Sequence, residues 1–332
     1  MASFFSQLKS TSYGVGVCLP IAIVAILLAK QYQAPVMLFS LLIGLAMHFC
    51  YQHQRNQQGI DFCATSLLRI AVALLGVRIV VADIVDLGVV APLLVVAALF
   101  LTICFSVVLA KLMKLPASFG LLSGGSVAVC GVSAAAAIST VMPKTAEQQK
   151  YFPLTVIAIT TFSTLAMIFY PAIAKALMLP PELMGVFLGG TIHDVAQVVG
   201  AGYSVSQEVG DTATYIKLIR VALLMPIVMT IFLFYQGKQK HSGEQKATQF
   251  IPPFLIAFII IATLKNFGLI NQTVTEFSSQ LSQFLLVVAM AAIGVRTSLA
   301  QIFNVGWKPI VLMASETAFI AAIVLLGIYC FY

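Results

Sequence analysis

Two segments of the chain place glycine together with polar and ionisable side chains inside apolar sequence. The first covers residues 124–131 (GGSVAVCG) and the second covers residues 189–197 (GGTIHDVAQ). Their carboxylate, imidazole, amide and hydroxyl groups could bind a polar solute or exchange a proton. Hydrocarbon penalises unpaired backbone and charge, so such a segment persists only where protein or a water-filled cavity surrounds it. We therefore predict two broken helices whose ends face a transported solute.

His193 and Asp194 are adjacent ionisable residues near the middle of an apolar segment. An intramembrane carboxylate costs roughly 2.5–3.5 kcal/mol on insertion scales unless it is paired or hydrated. We expect Asp194 to exchange a proton or bind a cation, and His193 to relay that proton near neutral pH. The alternative is a structural role, with Asp194 bonded to a neighbouring helix. Gln197 lies one turn beyond His193 on the same helix face, whereas adjacent side chains diverge.

Small side chains fill the first segment, and they admit two interpretations. Gly124, Gly125 and Gly131 let helix backbones approach closely, which favours a packing role alone. A helix break would instead leave backbone N–H groups free to face an anion, with Ser126 adding a hydroxyl donor. The predicted solute contacts at the two segments are Gly124, Gly125, Ser126, Cys130, Gly131, Gly189, Gly190, Thr191 and Gln197.

Several basic side chains lie in or near apolar segments. Arg78 and Arg296 offer planar guanidinium donors that suit oxyanions, so both join the predicted anion site. Snorkelling from a helix end to the membrane surface is the alternative for these two residues. For Lys217 and Arg220, which are one turn apart, snorkelling is the favoured interpretation.

Four other polar residues are predicted to have structural roles or to be solvated. Glu316 lies inside the last apolar segment and needs a partner there. Asp61 is expected to cap a helix, and His48 and His53 are expected to be solvated. The cysteines show no metal-ligand spacing, so we predict small buried apolar side chains and no metal site. They are Cys18, Cys50, Cys63, Cys104, Cys130 and Cys330.

The composition is that of a polytopic membrane protein. Hydrophobic residues make up 61% of the chain and charged residues only 9%, whereas a soluble domain carries roughly a quarter charged residues. The mean hydropathy is +1.03. The formal net charge of +7 is spread between apolar runs, which indicates topology signals and no nucleic-acid surface. No nucleotide-binding phosphate loop is present and no cofactor is expected, so transport would draw on a gradient.

About eleven apolar segments are long enough to be membrane helices. They predict an all-α polytopic protein with a single transmembrane domain over residues 1–332. With a cytoplasmic N-terminus and strict alternation, nine loop cations lie inside and four outside, which predicts a periplasmic C-terminus. The segments cover residues 13–30, 34–50, 62–82, 87–110, 118–141, 152–174, 183–203, 213–235, 250–267, 280–300 and 306–330.

An internal echo links distant parts of the chain at an offset of 218 residues. The sequence ALLGVR at 73–78 aligns with AAIGVR at 291–296, and Pro35 aligns with Pro253. The paired segments would run in opposite directions, so the echo predicts an inverted repeat, a frequent plan in secondary transporters. Chance similarity and a five-plus-five division of the segments are the alternatives. The corresponding halves are residues 1–178 and 179–332.

Three phrases carry a resemblance to a known family: GGSVAVCGVSAAAA at 124–137, GGTIHDVAQVVGAG at 189–202 and LLGVR at 74–78. They resemble the YeiH-type bacterial inner-membrane proteins that carry the label sulfate exporter, and the resemblance covers nearly the whole chain. It implies an inner-membrane transporter with an inverted-repeat, crossed-helix plan similar to that of bile-acid-symporter-like and sodium–proton-antiporter-like proteins. It assigns no individual ligand residue.

These observations predict a secondary transporter of a small anion, sulfate or an organosulfonate, in the bacterial inner membrane. Coupling to H⁺ or Na⁺ would use His193 and Asp194, and a homodimer is compatible with such folds. A cation–proton antiporter with Asp194 as the ion ligand is the first alternative. An intramembrane hydrolase combining Ser126 or Cys130 with His193 and Asp194 is a remote one. Adjacent side chains on a helix diverge, so His193 and Asp194 make no obvious relay, and we expect no catalytic residue and no enzyme activity.

Overall fold

The apolar segments fold as helices because backbone groups in lipid must be hydrogen-bonded within their own segment. A computed structural model describes residues 2–32, 35–78, 88–143, 146–236, 253–298 and 307–332. Within these ranges there is no strand, which confirms the all-α prediction. The helices are α1 (Ala2–Tyr32), α2 (Val36–Ala46), α3 (Gln54–Arg78), α4 (Val90–Leu112), α5 (Ala117–Ala128), α6 (Val132–Val141), α7 (Ala146–Ala176), α8 (Pro181–Thr191), α9 (Val195–Val205), α10 (Gln207–Ala222), α11 (Leu224–Gln236), α12 (Pro253–Asn266), α13 (Gln272–Arg296) and α14 (Trp307–Phe331).

Seven helices of the described ranges are long and apolar enough to cross a membrane, which confirms a polytopic membrane protein. They are α1, α3, α4, α7, α13, α14 and the pair α10–α11, which counts as one span. The other predicted segments correspond to the short helices α2 and α12 and to the pairs α5–α6 and α8–α9. These two pairs contain the glycine segments, so both predicted helix breaks are confirmed.

The first break reverses the chain and does not continue across the membrane. Gly131 has a φ of +67° at the start of α6, a backbone conformation that residues other than glycine rarely adopt. Ile138 of α6 then packs against Gly125 of α5. Phe119 at the start of α5 stacks on Tyr151 of α7, with 4.4 Å between ring centroids. A crossing helix would hold those two ends apart by about 30 Å, so α5 and α6 form a re-entrant hairpin, named hairpin A.

The second break reverses the chain in the same way. Gly185 of α8 packs against Thr212, and Gly189 packs against Ala213 further along α10, so α8 and α10 run parallel. The one-residue connection between α9 and α10 turns sharply, because Tyr203 packs against Gly210. Helix α9 is therefore antiparallel to α10 and to α8. The pair α8–α9 is a second re-entrant hairpin, named hairpin B, and it enters from the end of α7 opposite to hairpin A.

The chain divides into two compact units, each assembled from separate stretches. The first unit comprises Met1–Asp86, Val199–Asp211 and Pro253–Leu299, and the second comprises Leu87–Val198, Thr212–Pro252 and Ala300–Tyr332. The first unit holds α1, α2, α3, α12 and α13. The second unit holds hairpin A, α8, the tip of hairpin B, and the helices α4, α7 and α14.

Glycine contacts repeat within the first unit. Gly294 of α13 packs on Gly44 of α2, and Gly76 of α3 packs on the backbone of Ala262 in α12. At the offset of 218 residues, Gly76 matches Gly294 and Gly44 matches Ala262. The same close helix crossing is therefore made twice, as an internal repeat requires.

Two structural interpretations of polar residues are corrected in this unit. Asp61 lies inside α3, seven residues after its start, and accepts a hydrogen bond from the Tyr51 hydroxyl at 3.1 Å. It therefore does not cap the start of that helix. His48 is bonded through Nδ1 to the Val295 carbonyl oxygen at 2.8 Å and is not simply solvated. His53 is exposed, as predicted.

The cysteines follow the prediction only in part. Cys18, Cys63 and Cys130 are buried, but Cys104 and Cys330 are exposed on helices of the second unit. An apolar environment such as lipid accepts a thiol on a helix surface, because free cysteine behaves as a small hydrophobe.

Candidate functional site

The tips of the two hairpins meet inside the second unit. Tip A consists of residues 129–131 and tip B consists of residues 192–194. A Cβ at Gly131 would lie 3.6 Å from the His193 carbonyl oxygen and 3.8 Å from the Asp194 backbone nitrogen. These are ordinary van der Waals distances, so the two reversed backbones lie side by side, in a setting where hydrocarbon would penalise each of them alone.

Helices α5 and α8 both end at these tips, so their last carbonyl groups lack partners within the helix. Lys217 of α10 supplies three of the missing hydrogen bonds. Its Nζ donates to the carbonyl oxygens of Val129 at 2.8 Å and Ile192 at 2.9 Å, and also to that of His193. One ammonium group thus bonds to both tips.

Arg220, one turn further along α10, supplies four more. Its Nε donates to the Ala128 carbonyl at 2.8 Å, and its Nη2 donates to the Val127 carbonyl at 2.7 Å. Its Nη1 donates to the carbonyls of Gly189 and Ile192, each at 3.0 Å. The guanidinium fork therefore spans the C-terminal ends of α5 and α8, where the helix dipoles favour positive charge.

The predicted snorkelling of Lys217 and Arg220 is wrong. Both side chains are fully buried, at 0% exposure. They turn inward because two broken helices offer negative dipole ends and unpaired carbonyls, which a membrane surface does not. The sequence did carry a signal for this arrangement, since two cations three residues apart on one face of an apolar helix need a shared partner.

Asp194 is the least buried residue of the two tips. Its side chain Oδ1 accepts the Ala196 N–H at 2.9 Å and so caps the start of α9. Its own N–H donates to Ser163 Oγ of α7 at 3.0 Å. The carboxylate is partly exposed, which leaves it accessible to a solute or ion.

His193 and Gln197 are held by neighbouring helices. The His193 ring is fully buried, and its Nε2 is 3.0 Å from Thr317 Oγ1 of α14. Gln197 donates from Nε2 to Thr164 Oγ1 of α7 at 2.8 Å. Its Oε1 is buried and has no hydrogen-bond partner within the described ranges. The His193 Nδ1 atom is likewise buried without a partner in the described ranges, so these are two polar atoms near tip B that a bound species could satisfy.

The other predicted contacts at the glycine segments are buried and serve packing in this conformation. Gly124 packs against Ser106, and Gly189 against the backbone of Ala213. The hydroxyls of Ser126 and Thr191 donate to carbonyls of their own helices. The packing interpretation therefore has direct support, and a solute contact at these residues stays a prediction. The same holds for Gly125, Cys130, Gly131 and Gly190, which are all buried.

Arg78 and Arg296 belong to the first unit, where each has an acidic partner. Arg78 pairs with Asp211 at 2.9 Å and lies over the Tyr203 ring, with 5.1 Å to the ring centroid. Arg296 is 3.8 Å from Asp61. Neither is therefore an unpaired guanidinium, and their role as anion ligands stays a prediction.

Charges at the two tips sum to a positive excess. Two cationic side chains, Lys217 and Arg220, accompany one carboxylate, Asp194. Each helix end contributes about half an elementary charge, positive at the start and negative at the end of a helix. The two helix ends and two helix starts cancel, so the described tips carry an excess of about one positive charge.

Neither a metal-binding cluster nor a Ser126–His193 pair is assembled in the described part of the chain. No group of three His, Cys, Asp or Glu side chains converges there on a metal position. The His193 ring bonds to Thr317, while the Ser126 hydroxyl bonds to Leu122 of its own helix. A nucleophile and base would have to contact each other for hydrolysis.

Comparison with known proteins identifies the family. The family described as conserved hypothetical protein 698 matches residues 13–313. UPF0324 membrane protein CT0845 of Chlorobaculum tepidum is 45% identical, over 94% of this chain and 87% of that protein. UPF0324 membrane protein TauZ of Paracoccus denitrificans is 42% identical, over 95% of this chain and 94% of that protein. UPF0324 membrane protein RB0971 of Rhizobium meliloti is 42% identical, over 96% and 93%. This chain belongs to the UPF0324 family of membrane proteins.

Proposed function

We propose that this protein is a secondary active transporter of a small anion, sulfate or an organosulfonate, coupled to H⁺ or Na⁺. The observation that carries the proposal is the meeting of two re-entrant tips around Lys217 and Arg220. Reversed backbone at membrane depth is characteristic of solute sites in transporters. A relative's name, TauZ, belongs to that relative and assigns no substrate here.

The sign of the charge favours an anion over a cation. A cation–proton antiporter would use Asp194 as its ligand, but Lys217 and Arg220 lie at the same tips and repel a second cation. The first turn of α6 offers backbone N–H groups beside the exposed Ser133, where no side chain caps the helix. An oxyanion is the species that such donors suit.

In the proposed cycle, the anion binds near the partly exposed Asp194 and the start of α6. Asp194 responds to the coupling ion, and His193 transmits the change to α14 through Thr317. The inverted repeats then alternate in exposing the site to each face of the membrane. Lys217 and Arg220 keep the tips joined throughout.

Transport into reconstituted vesicles tests the proposal. Labelled sulfate, labelled methanesulfonate and labelled sodium are supplied separately, with an imposed H⁺ or Na⁺ gradient. We expect gradient-driven movement of at least one of the two anions. Movement of sodium with neither anion would replace the proposal by the antiporter.

Asp194→Asn tests the coupling role at the same site. Asparagine caps helices about as well as aspartate, so we expect the variant to fold while gradient-driven anion transport is lost at least tenfold. Glu182→Gln is the matched control, because Glu182 is an exposed carboxylate at the start of α8. Gradient-driven transport at wild-type rates in Asp194→Asn would remove Asp194 from the mechanism.

A further inference from the structure

A second acidic residue lies deep in the second unit, outside the two tips. Glu316 of α14 is fully buried, at 0% exposure. Its Oε1 accepts a hydrogen bond from Ser123 Oγ of hairpin A at 2.7 Å and another from Ser106 Oγ of α4. Its Oε2 is buried and has no hydrogen-bond partner within the described ranges. Only one of the two carboxyl oxygens is thus hydrogen-bonded, in a place where water does not reach either of them.

The position of Glu316 along α14 connects it to both hairpins. The next residue, Thr317, is bonded through Oγ1 to the His193 ring of tip B at 3.0 Å. Two consecutive residues of α14 therefore hold the first helix of hairpin A and the tip of hairpin B. A change in the charge of Glu316 would act on Ser123 directly and on tip B through the same helix.

Within the described residues, Glu316 has no cationic side chain as an ion-pair partner. Helices α4, α5, α7 and α8 pack against α14, and the ion pairs of the described residues do not include Glu316. Two titratable residues from neighbouring elements, His193 and Tyr170, contact Thr317, the residue that follows Glu316 on α14. Helix α5 contains no charged residue. A buried carboxylate without a cation is unfavourable, whereas a protonated carboxyl suits the apolar surroundings of Oε2.

We propose that Glu316 binds the coupling proton, that its deprotonation releases hairpin A, and that Asp194 responds to this change through Thr317 and His193. In the conformation described here the carboxyl group holds the proton. When it opens to water, the O–H bond breaks, the proton passes to a water molecule and the electron pair stays on the carboxylate. The charged group then needs solvent, so it no longer fits between α4 and α5. This inference rests on the proposed function and names H⁺ as the coupling ion.

Glu316→Gln separates coupling from binding. Glutamine keeps the size of the side chain and an oxygen acceptor for Ser123, but it takes up no proton. In vesicles we expect exchange of labelled for unlabelled anion to persist within about threefold of wild type, while acceleration by a pH gradient disappears. Glu182→Gln should keep both activities. An undiminished response of Glu316→Gln to the pH gradient would overturn the inference.

Ser123→Ala gives a second variant in case Glu316→Gln folds poorly. It removes a donor to Oε1 without touching the carboxyl group. Because the deprotonated form loses more from a missing donor than the neutral form does, we expect the pH optimum of gradient-driven transport to move to higher pH. An unchanged optimum in Ser123→Ala would count against Glu316.

Infrared difference spectra of the purified protein test proton binding at Glu316 without any substrate, when the two buffers compared both lie above the pKa range of ordinary carboxyl groups. We expect the C=O stretch of a protonated carboxyl group at the lower pH, its loss at the higher pH, and its absence in Glu316→Gln. Glu182→Gln should retain the signal. If wild type transports no anion but this signal is found, the anion proposal fails while proton binding at Glu316 stands. If the signal persists in Glu316→Gln, proton binding at Glu316 is refuted whatever the transport result.

Discussion

Lys217 and Arg220 provide the donors that two broken helices lack. Together they bond to carbonyls at the ends of α5 and α8, and both are fully buried. A buried cation is tolerated in a membrane protein only where such partners exist. These two residues therefore stabilise the backbone of the tips, whereas Asp194 remains partly exposed.

Lys217→Met should destabilise the protein strongly. The change would leave the carbonyls of Val129 and His193 without the ammonium donor, at about 1–3 kcal/mol for each orphaned group. We expect a free energy of unfolding lower by about 3 kcal/mol or more, seen as a reduced thermal midpoint in detergent. The control is Lys175→Met at the exposed end of α7, which should leave the midpoint unchanged. Equal midpoints for both variants would contradict the bridging role of Lys217.

The sequence pointed to the right segments but not to every residue at the tips. His193 and Asp194 were recognisable because ionisable groups are rare inside apolar runs. Lys217 and Arg220 were assigned to the membrane surface, because a sequence does not show whether a long side chain near a helix end turns outward or inward. Glu316 was recognised as needing a partner, but its serine partners lie far away in the chain.

The two hairpins are the elements that bring these residues together. Each is built from two helices of 10 to 12 residues, about half the length that a full crossing needs. Glycines on the hairpin helices admit the neighbouring backbones. Gly189, for example, faces the Ala213 carbonyl of α10 closely enough to exclude any side chain.

Gly189→Ala should separate hairpin B from α10. The added methyl group would meet backbone at Ala213, which yields less easily than a side chain, so we expect a loss of about 1–3 kcal/mol in stability. Gly16→Ala in α1 is the matched control, since nothing lies within 4 Å of a Cβ there. Thermal midpoints of the two purified variants are compared with wild type. A midpoint for Gly189→Ala as high as that of Gly16→Ala would contradict the close packing.

The positions of the helix breaks were predictable, whereas their reversal was not. Glycine and polar residues mark each break in the sequence. An apolar stretch of about 25 residues interrupted at its centre is compatible with a crossing helix or with a hairpin. Contacts between residues that are far apart in the chain, such as Phe119 stacked on Tyr151, determine which of the two forms. The local sequence does not reveal such contacts.

The reversal of the hairpins changes the path of the whole chain. Hairpin A returns to the side it came from, and so does hairpin B. With a cytoplasmic N-terminus, this path predicts ten loop cations inside and three outside, a stronger asymmetry than the strictly alternating path gives. Residues 144, 238, 240 and 246 among them lie outside the described ranges. The predicted inside group is Lys9, Arg55, Lys111, Lys114, Lys144, Lys150, Lys238, Lys240, Lys246 and Lys308, and the predicted outside group is Lys30, Lys175 and Lys265.

Single cysteines in a cysteine-free background test this path. We expect Lys114→Cys and Pro143→Cys, on either side of hairpin A, to react with an impermeant thiol reagent from the same face of the membrane. Pro180→Cys, beyond α7, should react from the opposite face. Labelling of intact and of permeabilised cells provides the measurement. Reaction of Lys114→Cys and Pro143→Cys from opposite faces would show that α5–α6 crosses the bilayer.

The offset of 218 residues relates whole helices as well as short phrases of the sequence. The bounds of α3 (Gln54–Arg78) map onto those of α13 (Gln272–Arg296), and α4 maps onto α14 within one residue at each end. In the first repeat hairpin A and α7 follow these helices. In the second repeat the corresponding hairpin B and α10–α11 precede them. From this order of elements we expect the second repeat to be a circular permutation of the first, which would explain why the two glycine segments do not share the offset.

The cationic residues that join the tips are permanent parts of the chain. Broken helices that were joined only by a bound ion would lose their connection each time that ion left. Lys217 and Arg220 are instead covalent parts of α10, and they bond to the tips without any bound ion. Under the proposed transport cycle the two tips therefore stay joined in the unloaded protein, and the change between its two conformations needs no bound solute.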